Sequence, residues 1–222
     1  MSHLILQSPS LSATHVEQIA ALVSASGVQE LGPTAVRLLE ADDAETAAVA
    51  AQCERYGIDY AFLPKIDLLR EMRILAMDMD STLVSIECID EIADAVGRKP
   101  QVAAITEAAM RGEIKDFAES LRRRVALLEG VPESALLEVY EQRLSLNPGA
   151  ERLVATAQKH GLKVLLVSGG FTFFTERLRE RLNLDAAHSN VLEIVDGKLT
   201  GRVLGDIVDA AGKAAHLKAL AE

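Results

Sequence analysis

The stretch from Ile74 to Leu83, which reads ILAMDMDSTL, constrains the fold of this chain more than any other. The residues from Ile74 to Met77 are all apolar, which is typical of a strand buried on both faces of a parallel sheet. Asp78 and Asp80 follow, with one residue between them. Because side chains alternate along a strand, we expect both carboxylates on one side of the chain, at the strand's carboxyl end.

Two carboxylates at the end of a buried strand repel each other unless a cation lies between them. Since the ligands at Asp78 and Asp80 are oxygen atoms, the predicted metal ion is Mg²⁺. An aspartate beside a metal and an open position can attack phosphorus and form an aspartyl phosphate. The alternative is a strand followed by an Asp-rich turn without chemistry, because Asp-x-Asp arises often by chance.

The residues that follow indicate a family. The sequence from Asp78 to Thr82, DMDST, resembles the D-x-D-x-T motif of the haloacid dehalogenase-like phosphohydrolases. Glu87 and the run IDEIA over 89–93 make the resemblance closest to the phosphoserine phosphatases of that superfamily. The resemblance implies an α/β fold, in which a Rossmann-like parallel sheet carries an inserted helical cap.

Four predicted helices, at about 87–96, 100–110, 114–129 and 133–143, separate the first strand from the next, and they exceed an ordinary crossover. We expect them to form a cap over about 86–146 that closes over the site and excludes water. By the resemblance, Glu87 binds the substrate ammonium and Arg124 its carboxylate. Without the resemblance, each would be assigned to a solvated helix face.

A second motif follows the apolar strand at 162–167. Ser168, Gly169 and Gly170 lie between this strand and a predicted helix over 171–182. A strand, a glycine turn and a helix amino terminus together form an anion cradle. The hydroxyl of Ser168 and the N–H of Gly169 are predicted to hold phosphoryl oxygens.

The third motif is Lys213, on a final helix predicted to begin near Asp209. By the resemblance, Lys213 neutralises charge on the phosphoryl group and on the nucleophile. A β-hairpin over 190–204, with its turn at Asp196-Gly197, precedes this helix.

The resemblance implies a Mg²⁺-dependent phosphatase that hydrolyses L-phosphoserine to L-serine and phosphate, the last step of serine biosynthesis. Asp78 is then the nucleophile, Asp80 the general acid and base, and both hold the metal. Alternatives are a related small-molecule phosphomonoesterase and a catalytically inactive serine-sensing or dimerising protein. Phosphoryl transfer to an alcohol uses the same residues, and the sequence does not separate it from hydrolysis.

The first 72 residues are predicted to form a small α+β domain, before a phosphatase domain over 73–222. Strands are predicted at 3–8, 34–39 and 58–63, and helices from about Ser12 to Ser26 and from Ala44 to Arg55. The pattern resembles, weakly, the ACT-like extension of some phosphoserine phosphatases. A serine-sensing or homodimer-forming role follows from that resemblance alone, and the alternative is a folded appendage of the catalytic domain.

Composition excludes several classes of partner. The net charge is −10 and the one basic cluster is Arg122 to Arg124, which argues against nucleic-acid and membrane-surface binding. No apolar run is long enough to span a bilayer. Cys53 and Cys88 form no metal-binding spacing and no disulfide framework, so a reducing cytoplasm is the expected location.

The resemblance ends before the family's last motif, a G-D-G-x-N-D type loop that supplies the third carboxylate to the metal. We therefore expect this sequence to be part of a longer protein, with an unpaired edge on the strand from Ile74 to Met77. We do not expect these 222 residues alone to be fully active.

Overall fold

The computed structural model describes residues 2–222. The chain divides into two compact units, Met1–Leu68 and Leu69–Glu222. Each unit has its own cluster of buried apolar side chains.

The first unit is a four-stranded antiparallel sheet with two helices, and its strand order is β2-β3-β1-β4. Leu4 and Leu6 alternate with less buried neighbours on β1 and lie in the core with Ile19 of the first helix. Gly57, in the left-handed region with φ of 63°, ends the second helix. The elements are β1 (Ser2–Gln7), α1 (Ala13–Leu22), β2 (Gly27–Gly32), β3 (Ala35–Ala41), α2 (Thr46–Tyr56) and β4 (Asp59–Leu63).

The α+β prediction for this unit is confirmed, but the sequence analysis missed one strand. Helix α1 ends at Leu22, four residues earlier than expected, and Gly27 begins β2. Strand β2 lies at an edge of the sheet and most of its residues are exposed, so it lacks the apolar alternation that identifies a half-buried strand.

The second unit is an α/β sheet in the order β5-β6-β7-β8, in which β5, β6 and β7 are parallel and β8 is antiparallel. The strands are β5 (Ile74–Met77), β6 (Lys163–Phe171), β7 (Ala186–Val195) and β8 (Lys198–Leu204). The helices are α3 (Cys88–Ala95), α4 (Lys99–Met110), α5 (Phe117–Ala126), α6 (Glu133–Glu138), α7 (Ala150–Lys159), α8 (Thr172–Leu182) and α9 (Ala210–Ala221).

Strand β5 lies at the edge of this sheet, as expected, and pairs with β6 from Ile74–Lys163 to Met77–Leu166. The prediction that β5 is buried on both faces is wrong, because its residues are half-buried or exposed. Because β5 and β6 are parallel, Asp78 follows β5 at the carboxyl ends of these strands, where Ser168 of β6 also lies. Helices α3 to α6 lie between β5 and β6 in the chain and share one apolar cluster with the sheet. The predicted hairpin is confirmed, and Asp196 and Gly197 both have positive φ in its turn.

The segments that enter and leave the α3–α6 insertion are bound to each other. Val84 and Leu146 form an antiparallel bridge, and the Ser85 N–H donates to the Ser145 carbonyl at 2.9 Å. The Asn147 side chain donates to the carbonyl oxygens of both Thr82 and Val84. The insertion is thus tied at its base to the turn that follows β5.

Within residues 2–222, no helix has the length and apolar character needed to cross a membrane.

The neighbouring leucines of α6 allow a matched test of the core of the second unit. Leu136 is fully buried, whereas Leu137 is 41% exposed. Leu136→Ala is expected to lower the free energy of unfolding by about 2–5 kcal/mol, since it removes buried methyl groups and leaves a cavity. Leu137→Ala should cost less than about 1 kcal/mol. Urea unfolding followed by circular dichroism measures both, and equal losses would contradict the core described here.

Candidate active site

A cleft of about 410 Å³ opens at the carboxyl edge of β5 and β6. All seven residues that the sequence analysis predicted for the site line this cleft, namely Asp78, Asp80, Glu87, Arg124, Ser168, Gly169 and Lys213. Four separate segments supply them: the turn after β5, the α3–α6 insertion, the end of β6, and α9.

Asp78 is held by two donors. It precedes an irregular turn at Met79–Leu83, in which Asp80 and Ser81 have non-helical backbone angles, and its Oδ1 accepts from the Met79 N–H at 2.8 Å. The Nζ of Lys213, on α9, forms an ion pair with Oδ2 of Asp78. Asp209 caps α9 by accepting from the Gly212 N–H at 2.9 Å. Lys213, on the last helix of the chain, therefore neutralises Asp78, which directly follows β5.

Asp80 lies in a different environment from Asp78. Its Oδ1 accepts from the Cys88 N–H at 2.9 Å, at the start of α3. Burial raises the pKa of Asp80, and the negative charges of Glu87 and Asp78 raise it further, while the hydrogen bonds from Cys88 act in the opposite direction. A carboxyl group with a raised pKa retains its proton more readily, so Asp80 is suited to proton donation.

The loop from Ser168 to Gly170 packs directly on this pair of carboxylates. Ser168 is buried, and its Oγ accepts from the Gly170 N–H at 2.9 Å. A Cβ on Gly170 would come within 2.6 Å of both Asp80 Oδ2 and the Met79 side chain. A Cβ on Gly169 would meet only the tip of the Phe117 ring, at 2.8 Å for the nearest ring atom. Gly170 is therefore required by the close approach of Asp80.

Arg124 projects from α5 into the cleft, whereas its neighbours Arg122 and Arg123 are exposed. The Arg124 Nε is buried and has no hydrogen-bond partner within residues 2–222. Burial lowers the pKa of Arg124, and the negative charges of Asp90, Glu87 and Asp80 oppose that shift. A buried guanidinium N–H without an acceptor is costly, so this position favours an anionic ligand.

The sequence analysis missed Asn190, which links two segments of the site. Asn190 is fully buried on β7. Its Nδ2 donates to the Gly169 carbonyl at 2.7 Å, and its Oδ1 accepts from the Val208 N–H at 2.9 Å. It thus ties the Ser168–Gly170 loop to the segment that leads into α9. The signal in the sequence is an amide in a strand where apolar residues are expected, but its partners depend on tertiary structure.

The donor groups of the cleft fit a hard cation. Asp78 and Asp80 supply carboxylate oxygens, and the negative charge of Asp78 adds to the raised pKa of Asp80, a repulsion that a cation would relieve. Within residues 2–222, no group of three or more His, Cys, Asp or Glu side chains is arranged to hold a metal ion. Mg²⁺ commonly binds through one or two carboxylates and completes its shell with other oxygen ligands, so the Asp78 carboxylate together with a backbone carbonyl, water and phosphate oxygens is compatible with it.

The sequence pattern of the haloacid dehalogenase-like hydrolase family matches residues 75–222, about two thirds of the chain. The chain belongs to this family. Residues 4–49 match a second pattern, described as a domain of unknown function (DUF4072).

Relatives and solved structures agree with the family assignment. A phosphoserine phosphatase of Polaromonas sp. is 62% identical over 149 residues, which are 65% of this chain and 63% of that protein. The chain thus spans less than two thirds of the length of this relative.

The chain is similar to the crystal structure of a probable phosphoserine phosphatase from Vibrio cholerae in its unliganded form. The superposition has a TM-score of 0.77 and 40% sequence identity, and it covers 99% of this chain and 68% of the Vibrio chain. The chain is also similar to a structure described as a phospho-aspartyl intermediate analogue of phosphoserine phosphatase. That superposition has a TM-score of 0.62 and 38% sequence identity, and it covers 68% of this chain and 71% of the other chain. The first of these likenesses extends over both units of the present chain.

The two glycines of the β6 loop provide a matched pair of substitutions. Gly170→Ala should displace the Asp80 carboxylate. Under the hypothesis that Asp80 acts in hydrolysis of a phosphomonoester by the natural protein, the substitution should lower kcat by about 100-fold. Gly169→Ala should cost less than about tenfold, because the Phe117 ring can swing aside. Steady-state phosphate release from p-nitrophenyl phosphate measures both. A larger loss in Gly169→Ala than in Gly170→Ala would be inconsistent with the packing described.

Proposed function

We propose that the protein hydrolyses L-phosphoserine to L-serine and inorganic phosphate. The observation that carries the proposal is Arg124, a partly buried cation whose Nε lacks an acceptor in the same cleft as Asp78. A phosphomonoester that also bears a carboxylate would supply that acceptor while its phosphate lies at Asp78.

The three charged groups of phosphoserine correspond to three parts of the cleft. The phosphate suits the cation of Lys213 and the loop of Ser168 and Gly169. The ammonium suits the carboxylate of Glu87, and the carboxylate suits the guanidinium of Arg124. The resemblance to phosphoserine phosphatases supports the same substrate.

In the proposed reaction, an Asp78 carboxylate oxygen attacks phosphorus in line and the bond from phosphorus to the serine oxygen breaks. Asp80, whose pKa is raised by burial, donates a proton to the departing serine oxygen. Asp80 then accepts a proton from the water that attacks the aspartyl phosphate. The bond from phosphorus to Asp78 breaks, and the carboxylate is restored. Lys213 and the Ser168 loop stabilise negative charge on the phosphoryl oxygens.

We further propose that the Asp78 carboxylate and the backbone carbonyl of Asp80 hold Mg²⁺, with both aspartates forming the metal site. When bound, the ion would offset repulsion between the anionic nucleophile and the phosphate. The product places the protein at the last step of serine biosynthesis, and the two free, buried cysteines suit a reducing cytoplasm.

Asp78→Asn tests the nucleophile. The amide is similar in size to the carboxylate but is a poor nucleophile, so phosphate release from L-phosphoserine with Mg²⁺ should fall by at least about 10³-fold. The assay uses the natural protein that contains this sequence, with malachite green detection of phosphate. Wild-type protein without phosphoserine hydrolysis would refute the proposed function, and activity retained in Asp78→Asn would refute the role of Asp78.

Arg124→Ala tests recognition of the substrate carboxylate, with Arg123→Ala as the matched control. Arg123 lies on the same helix but is exposed and paired with Glu119. Arg124→Ala should lower kcat/KM for phosphoserine by about 100-fold, because loss of a buried charged partner costs about 2–5 kcal/mol.

The same variant should change kcat/KM for phosphoethanolamine, which lacks the carboxylate, by less than about threefold. Arg123→Ala should leave both substrates nearly unaffected. Equal losses on the two substrates in Arg124→Ala would remove Arg124 from carboxylate recognition.

A further inference from the structure

We propose that Ser81 determines substrate specificity through Glu87, by fixing the Glu87 carboxylate where it takes the ammonium group of the substrate. Ser81 is then a positioning residue, since it does not line the cleft itself. The inference rests on the proposed function, which assigns the ammonium to Glu87, and it adds a residue to which the sequence analysis gave no role.

The contact between the two side chains is short and directed. The Ser81 Oγ donates to Glu87 Oε1 at 2.6 Å, a distance typical of a hydroxyl bound to an ionised carboxylate. Within residues 2–222, no other side-chain hydrogen bond reaches the Glu87 carboxylate. Glu87 directly precedes α3 but makes no capping bond to it, so the helix itself does not fix this side chain.

An exposed glutamate needs a restraint if its carboxylate is to keep one orientation. Glu87 is exposed, and without a restraint its side chain would rotate among conformers that turn the carboxylate into water. The Ser81 hydroxyl opposes that rotation, because its bond to Oε1 is kept only while the carboxylate faces the turn after β5.

The backbone conformation at Ser81 places its hydroxyl beside Glu87. Ser81 has φ of 51° and ψ of 13°, in the left-handed region where glycine is preferred. Its N–H donates to the Ile86 carbonyl at 3.1 Å, which closes the loop and brings the hydroxyl beside Glu87. Serine in this conformation carries a backbone strain that glycine would avoid. Unlike glycine, serine provides the hydroxyl that donates to Glu87.

Two adjacent bonds connect the turn after β5 to the start of α3. Asp80 accepts from the Cys88 N–H, and Ser81 donates to Glu87, so neighbouring residues on one segment bind neighbouring residues on the other. The proposed proton donor and the proposed ammonium-binding group are therefore held in register by a single connection. A change in the Ser81 bond shifts the ammonium subsite relative to the reacting phosphate.

Ser81→Ala and Ser81→Gly test the proposal in the natural protein, with two substrates. L-Phosphoserine carries the ammonium, whereas 3-phosphooxypropanoate has the same phosphate and carboxylate without it. Both variants should raise KM for phosphoserine about five- to tenfold, which corresponds to the net contribution of one typical intramolecular hydrogen bond. For both, kcat and the KM for 3-phosphooxypropanoate should stay within about twofold of wild type.

The two variants differ in stability, which separates positioning from a general structural role. Ser81→Gly removes the backbone strain at positive φ and should raise or maintain the melting temperature. Ser81→Ala keeps that strain and loses the hydrogen bond, so it should lower the melting temperature. A selectivity loss shared by both variants, despite different melting temperatures, supports the proposal. Selectivity unchanged in both, or equal losses on both substrates, overturns it.

Glu87→Gln distinguishes failure of this inference from failure of the proposed function. If Glu87→Gln loses selectivity for phosphoserine while the Ser81 variants retain it, the role of Ser81 is overturned and the proposed function stands. If none of the three variants loses selectivity, the ammonium subsite at Glu87 is itself wrong, and the role of Ser81 is overturned with it.

Discussion

The parallel register of β5 on β6 is the constraint on which the cleft depends. Pairing of Met77 with Leu166 brings the turn that carries Asp78 and Asp80 to the edge at which Ser168 lies. Gly170 can then approach Asp80 so closely that no Cβ would fit between them. Because side chains alternate along a strand, a slip of one residue would turn the apolar residues of β5 to the opposite faces and separate these groups.

Charge balance explains how the acidic side chains of Asp78, Asp80 and Glu87 share one cleft with two cations. Lys213 neutralises Asp78, while burial and like charges raise the pKa of Asp80. Arg124 offsets part of the charge of Asp90, Glu87 and Asp80 but keeps an unpaired N–H. The two aspartates thus acquire different properties from their surroundings alone, which is how enzymes commonly separate a nucleophile from an acid.

Local sequence patterns were sufficient to predict the main elements of the second unit and part of its cleft. The apolar runs of β5 and β6, the acidic pair and the glycine turn predicted the second unit and four residues of its cleft, namely Asp78, Asp80, Ser168 and Gly169. Glu87, Arg124 and Lys213, which also line the cleft, were predicted from the family resemblance alone. Strand β2 was missed, because an exposed edge strand leaves no apolar alternation. The bonds of Asn190 and the bond from Ser81 to Glu87 were also missed, because such bonds depend on how distant segments, or the two ends of a tight turn, are brought together.

The stereochemistry of the reaction at phosphorus tests most directly the central claim that a carboxylate of the protein attacks the substrate. Phosphoserine made chiral at phosphorus with oxygen isotopes would be hydrolysed by the natural protein in isotopically labelled water. Attack by Asp78 followed by attack by water inverts the phosphorus centre twice, so the account predicts overall retention. Overall inversion would show that water displaces serine in a single step, and it would contradict the account.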